Sequence, residues 1–328
     1  MAQKQFTYGF TLGKFMPPHK GHLQLIAEAE KYVKHLYILV GTLPREPIPG
    51  ELRFQWMKEL NPNHTVIHIT DDLPSYPHEH PDFWKIWVAV FNKYLPAKPE
   101  VFFCGEDYGD DVAHHLGIKH IRIDRTKFPI VISATAIRNN PFEYWELIPE
   151  IVRSYFVKRI VLTGPESTGK TTLSQNLAEH YHTNWVEEYG RVHFDKVNGK
   201  LLREDFLIIA GTQAIKEDEA VRVSNKLLFC DTDQIVTQIF GELYLNESIQ
   251  EIIEESKKRT YALFLLLDVD VPWVDDGTRD FPMLRKKHFE RLRLELQNRG
   301  LPFVIISGDY EDRMKRAVAA IDSLLLTP

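Results

Sequence analysis

A chain of 328 residues, 44% hydrophobic and 26% charged, is long enough to bury two cores and excludes collagenous, low-complexity and disordered readings. Its formal net charge of −6 is spread so that neither half is basic, which argues against duplex nucleic acid as a partner. No apolar run is long enough to span a bilayer, no apolar leader opens the sequence, and only two cysteines occur, so a cytoplasmic protein with reduced thiols and no membrane partner is expected.

The first strand is expected over residues 6–12, and a Gly- and Pro-rich loop leads from it into an apolar-periodic helix over 21–34. A second strand over 36–40 ends at Gly41, so strand, helix and strand read as a parallel βαβ unit. Further strands are expected over 65–69, 101–104 and 120–123, with helices over 49–60, 81–94 and 110–116. A second opening begins with a strand over 158–163, a loop over 164–169 and a helix over 170–181. Strands over 227–230, 261–268 and 302–307 follow, with a long charged helix over 285–298 and a closing helix over 312–326. This alternation predicts α/β architecture: two doubly wound parallel-sheet domains, residues 1–155 and 156–328.

The loop after the first strand reads Gly13-Lys-Phe-Met-Pro-Pro-His-Lys-Gly-His22. Gly13 lets the backbone turn where a side chain would collide with a ligand, and Gly21 lets the helix start come close to one. A helix N-terminus favours an anion. His19 and His22 are spaced to face the same ligand, and Lys14 adds a cation. No activated nucleophile is evident, so the chemistry expected is direct displacement at phosphorus, assisted by charge-stabilising donors. Far downstream, Ile132-Ser-Ala-Thr-Ala-Ile-Arg138 places Ser133, Thr135 and Arg138 at another helix start, where hydroxyls cap and an arginine clamps phosphate.

These two segments resemble the H-x-G-H and I-S-x-T-x-I-R signatures of the nucleotidyltransferase superfamily, most closely the nicotinamide mononucleotide (NMN) adenylyltransferases. The resemblance covers about 140 residues and implies a Rossmann-like domain that binds ATP. It implies that Lys14, His19, His22 and Arg138 hold the ATP phosphates, with Ser133 and Thr135 as phosphate donors, and Gly13, Phe15 and Gly21 are further candidates for binding ATP. Trp84 and Trp87, three apart on a helix, can stack on a base or a pyridinium ring, or pack in the core. Asp107, just past a strand end, is a candidate for a ribose or amide contact. His78, His80, His114 and His115 lack a convincing metal spacing and read as solvated histidines.

In the second half, Gly164-Pro-Glu-Ser-Thr-Gly-Lys-Thr171 fits G-x-x-x-x-G-K-[ST] between a strand and a helix. Gly164, Glu166, Ser167, Thr168, Gly169, Lys170, Thr171 and Thr172 are the candidate phosphate cradle. Thr171 is expected to ligate Mg²⁺ together with Asp231, which ends an apolar strand. Glu188 is a candidate base or hydroxyl acceptor, and Tyr189 and Arg191 can bind a sugar and its base. Arg279, in a polar loop with Asp275 and Asp276, fits the arginine that a kinase lid brings to the transferring phosphoryl group.

The order of the two halves, with E-Y-G-R, C-D-T-D and P-W-V-D-D-G-x-R in the second, resembles the bifunctional NadR-type proteins. These join NMN adenylyltransferase to ribosylnicotinamide kinase. The resemblance implies NAD biosynthesis, ATP as substrate at both sites, Mg²⁺ as cofactor, and NMN, ribosylnicotinamide, ATP and NAD as ligands, with room for a homo-oligomer. It departs at the N-terminus: enterobacterial members carry a DNA-binding repressor domain, and the stretch ahead of Phe6 is too short for a helix-turn-helix. Two alternatives stay open. One is another nucleotidyltransferase fused to another small-molecule kinase; the other is a non-catalytic P-loop module that senses ATP or NAD.

Overall fold

The computed structural model describes residues 4–124, 132–272 and 284–326. The chain divides into two compact units, Met1–Val152 and Arg153–Pro328.

In the first unit five parallel strands form one sheet: β1 (Phe6–Gly13), β2 (Val33–Gly41), β3 (Thr65–Ile69), β4 (Val101–Cys104) and β5 (Lys119–Arg122). Between them run α1 (Lys20–Glu30), α2 (Gly50–Leu60), α3 (Phe83–Tyr94) and α4 (Tyr108–Leu116), and α5 (Ala134–Asn139) and α6 (Glu150–Arg153) follow. Alternation along β2 explains why helices cover both faces. Leu36, Ile38 and Val40 pack with Leu25, Ile26 and Ala29 of α1, whereas Tyr37 and Leu39 pack with Val90 and Phe91 of α3. The strand order is β3-β2-β1-β4-β5, so the direction of winding reverses between β1 and β4. The loops leaving the carboxyl ends of those two strands bound the crevice where open sheets of this kind take ligands.

The second unit repeats the logic with β6 (Lys158–Thr163), β7 (Asn184–Val186), β8 (Leu227–Asp231), β9 (Leu263–Leu267) and β10 (Phe303–Ile306) in the order β10-β9-β6-β8-β7. All pairings are parallel. Its helices are α7 (Lys170–His180), α8 (Tyr189–Lys196), α9 (Arg203–Val221), α10 (Gln234–Leu245), α11 (Gln250–Lys258), α12 (Arg285–Asn298) and α13 (Tyr310–Leu326). Leu263, Leu265 and Leu267 face one core with Leu173 and Leu177 of α7, and Phe264 and Leu266 face the other with Leu292 and Leu296 of α12.

Sequence reading finds the outer frame of this unit but not β7 or α8 to α11. The reason is visible in α9, which buries Gln213 and Glu217 while exposing Ile208 and Ile215. Its apolar residues do not mark one face, so the helical period is blurred. Cys104 and Cys230 are buried free thiols, as expected. Among the described residues, no helix is long and apolar enough to cross a membrane.

Candidate active sites

The β1–α1 loop, the loop after β4 and the start of α5 line a cleft of about 660 Å³ in the first unit. Gly13, Lys14, Phe15, His22, Trp84, Trp87, Thr135 and Arg138 all reach it. His19 is the N-cap of α1, with extended backbone (φ −146°, ψ 167°), and is almost fully buried. The His19 and His22 rings stack with centroids 3.6 Å apart, and the His19 N–H donates to His22 Nδ1 at 3.3 Å. The pair is therefore rigid, with His22 as the member that lines the cleft. Arg138 ties the two distant motifs together: Nη1 donates to the Met16 carbonyl and Nη2 to Thr135 Oγ1 at 3.0 Å. Ser133 caps α5 by accepting the Ala136 N–H at 3.1 Å.

The structure adds detail to the expectations for this half. The residue with left-handed backbone in the loop is Phe15 (φ 45°), not Gly13, which ends β1. A Cβ on Gly13, which lines the cleft, would lie 3.0 Å from the Phe15 ring, so this glycine also makes room for a protein ring. Gly21 does the same for His19, whose Nδ1 would lie 3.0 Å from an added Cβ. Asp107 does not line the cleft; its exposed carboxylate pairs with Arg122 at 2.7 Å. Both tryptophans are half-buried at the cleft wall: Trp84 stacks on His115 at 4.8 Å and Trp87 Nε1 donates to the Pro74 carbonyl at 3.0 Å. Among the described residues, no group of three His, Cys, Asp or Glu is placed to hold a metal ion.

In the second unit the loop between β6 and α7 has left-handed backbone at Ser167 (φ 57°) and Gly169 (φ 82°). Gly164 is needed for a close approach: a Cβ there would lie 2.9 Å from the Leu267 carbonyl oxygen. Thr168 Oγ1 and Lys170 Nζ donate to the Pro165 carbonyl at 2.8 and 3.0 Å, so the loop is bonded to itself. Thr171 Oγ1 donates to Asp231 Oδ2 at 2.5 Å. Asp231 is fully buried, and its Oδ1 has no protein partner. Burial, reinforced by the nearby Glu188 charge, pushes its carboxyl up to about 6, against the pull of Lys170, the Thr171 hydroxyl and Arg191.

A second cavity of about 100 Å³ adjoins this loop, and its lining includes Glu166, Lys170, Glu188 and Arg191 together with Phe194, Phe206, Phe240 and Tyr244. It pairs charged groups suited to a phosphate and sugar with rings suited to a flat base. Tyr189 does not line it: its backbone N–H donates to Gln213 Oε1 at 3.0 Å and its ring centre lies 5.5 Å from Lys216 Nζ. Thr172 is exposed on α7 outside the cavity. Arg279, with Asp275 and Asp276, lies outside the described residues.

Two arginines that sequence reading passed over hold the loop from behind. Arg313, almost fully buried, donates to the carbonyls of Thr168 (2.5 Å), Gly308 (2.9 Å) and Asp268 (3.0 Å) and pairs with Asp270. Arg285 donates to the carbonyls of Ser167 and Val271, each at 3.2 Å. Nothing local marks them, because the loop carbonyls that they hold, Thr168 and Ser167, lie 145 and 118 positions away in the chain.

A family model described as an AAA domain matches residues 159–313. The trifunctional NAD biosynthesis/regulator protein NadR of Escherichia coli (strain K12) is 31% identical over a gapped alignment of 354 positions, spanning 97% of this chain and 83% of the relative. The protein of the same name from Salmonella typhimurium (strain LT2) is 30% identical, spanning 98% and 84%. A crystal structure of a NadR protein in complex with NR superposes with a TM-score of 0.81 at 25% identity, covering 99% of this chain and 98% of that one.

Proposed function

The chain belongs to the NadR family of NAD biosynthesis proteins, and from that premise we propose that it makes NAD in two ATP-using steps, one in each unit. In the second unit the primary hydroxyl of ribosylnicotinamide attacks the γ-phosphorus of ATP, giving NMN and ADP. In the first, the NMN phosphate attacks the α-phosphorus of another ATP, giving NAD and releasing pyrophosphate. Neither step needs a covalent enzyme intermediate; positioning and electrostatic stabilisation carry both.

The observation that carries this reading is the gathering of charged and polar side chains at the carboxyl edge of the central strand in each sheet. Lys14, His22, Thr135 and Arg138 meet in one cleft, and Lys170, Glu188 and Arg191 meet in the other cavity. In the kinase step Lys170 and the loop N–H groups hold the β- and γ-phosphates, and Glu188 accepts the proton of the attacking hydroxyl. The four rings that line the cavity receive the base, and NR in the related NadR structure suits such a pocket. In the adenylyl step His22, backed by His19, and Arg138 stabilise the charge that grows on the departing pyrophosphate, while Lys14 draws the triphosphate in.

Thr171 and Asp231 offer hard oxygen donors, and the buried, unpartnered Asp231 Oδ1 fits a divalent cation such as Mg²⁺. When bound there, Mg²⁺ would neutralise phosphate charge. Buried free thiols suit a reducing, cytoplasmic setting.

The test is product analysis with Mg·ATP and either NMN or ribosylnicotinamide, for the parent and for Lys170→Ala. The parent should form NAD from both. Lys170→Ala should still form NAD from NMN and fail from ribosylnicotinamide. Equal loss of both reactions in a folded variant would favour a regulatory P-loop unit, and retention of both would remove Lys170 from catalysis.

A further inference from the structure

Lys14 reaches the first cleft from a backbone that is itself anchored. Arg53, fully buried on α2, donates from Nη1 to the Lys14 carbonyl at 2.7 Å and from Nε to the Ile48 carbonyl at 3.0 Å. Its Nη2 donates to Glu46 Oε2 at 2.5 Å, and that oxygen also accepts the Leu43 N–H at 2.9 Å. The other oxygen, Glu46 Oε1, stands 2.9 Å from Lys14 Nζ, an ion-pair contact off the direction of an aligned hydrogen bond. The Glu46 side chain is 7% exposed and that of Lys14 50%, so the carboxylate is fixed and the ammonium is accessible. Burial works against the charge on Glu46, but Lys14, the Leu43 N–H and Arg53 outweigh it and hold the carboxyl below its usual range.

Two cations around one carboxylate leave a net positive charge, and Lys14 carries it on the open side. Glu46 therefore does not cancel the attraction for an anion, because Arg53 already neutralises it. A lysine held in this way has less rotamer freedom to lose when a phosphate arrives. Resting on the adenylyl-transfer reading above, we propose that Glu46 and Arg53 are positioning residues of the first site, which aim Lys14 at the triphosphate before ATP binds.

Glu46→Gln isolates the contact. Its amide oxygen keeps the bonds to Arg53 and Leu43, while an N–H faces Lys14 in place of the charge. In NAD formation from NMN, KM for ATP should rise about tenfold and kcat change less than about threefold. In a Lys14→Met background the same substitution should add nothing, because the lysine through which it acts is gone. Lys14→Arg leaves Glu46 and Arg53 untouched and can still meet the carboxylate, so it should keep KM near that of the parent. This arm is read even if Glu46→Gln unfolds. A parent-like KM in Glu46→Gln, an equal increment in both backgrounds, or a Lys14→Arg protein as impaired as Lys14→Met each overturns the proposal. A parent protein that forms no NAD from NMN overturns the underlying reading instead.

Discussion

Thr171 and Asp231 stand sixty positions apart in the chain, yet the threonine hydroxyl donates to the aspartate Oδ2 at 2.5 Å. The sheet brings them together: β6 and β8 are neighbours, with Leu162 opposite Asp231, and Thr171 sits in the first turn of the helix that β6 feeds. A carboxylate is thereby delivered, fully buried, beside the loop proposed to cradle phosphates. Its charge is costly there, which is why the carboxyl is pushed up to about 6. A group so placed is tolerable once a cation or a donor compensates it.

The first prediction follows from that cost. Asp231→Asn keeps the size of the side chain but removes the charge. Phosphorylation of ribosylnicotinamide should fall by about 10²-fold or more. The thermal midpoint of the protein should hold or rise, since the neutral amide spares the fold a buried charge. A variant that loses activity together with stability would mean that Asp231 is a structural residue.

The second prediction concerns His22→Ala. The His22 ring lines the cleft and supports the buried His19 ring by stacking at 3.6 Å. On the adenylyl-transfer reading proposed above, truncation removes a donor used as charge moves to the departing pyrophosphate and frees the neighbour that it braces. NAD formation from NMN should lose about 10²-fold, mainly in kcat. Kinase turnover, measured with ribosylnicotinamide, should persist. Parent-like NAD formation would remove this loop from the chemistry.

How much of this can be read from the sequence depends on how local each feature is. The loops after β1 and β6 are legible because strand, glycines, cation and helix start fall within one short window. Arg53 and Arg313 are not, because what makes them important is a carbonyl 39 and 145 positions away. Asp107 is a different case. Its place past the end of β4 is legible, but the direction of its side chain, out toward Arg122, is fixed by a neighbouring strand. The missed helices α8 to α10 supply most of the lining of the second cavity, so its aromatic residues escape sequence reading together with them. Phe194, Phe206, Phe240 and Tyr244 look like ordinary core residues until the helices are set side by side.

Arg313 supplies the third prediction. Its guanidinium satisfies three carbonyls and pairs with Asp270, stitching the phosphate loop to the ends of β9 and β10. Arg313→Met fills similar volume but leaves those carbonyls without a donor. The second unit should lose about 3 kcal/mol or more of stability, read by urea unfolding. NAD formation from supplied NMN should survive at temperatures where the kinase reaction has failed. A change below about 0.5 kcal/mol would show that water replaces the guanidinium at no cost.

His288 gives a pH dependence whose sign is fixed by its burial. It lies on α12 with its ring edge-on to Phe240 at 4.7 Å, and its Nε2 is buried without a protein partner. Burial first, and then the Lys170 charge, push its pKa down to about 4 from an ordinary value of 6.5. A folded-state pKa below the unfolded one means that the unfolded chain binds more protons as the solution is acidified. The stabilising contribution of the neutral ring is thus complete above about pH 6.5 and is lost as pH falls toward 4. Between pH 7.5 and pH 5 this single group should withdraw about 2 kcal/mol from the second unit. His288→Leu removes the titration, so the difference in unfolding free energy between those two pH values should shrink by about that amount. The comparison is made by urea unfolding of parent and variant at both pH values, which cancels any pH-independent packing change. An unchanged difference would mean that His288 is protonated in the folded protein or reaches water there.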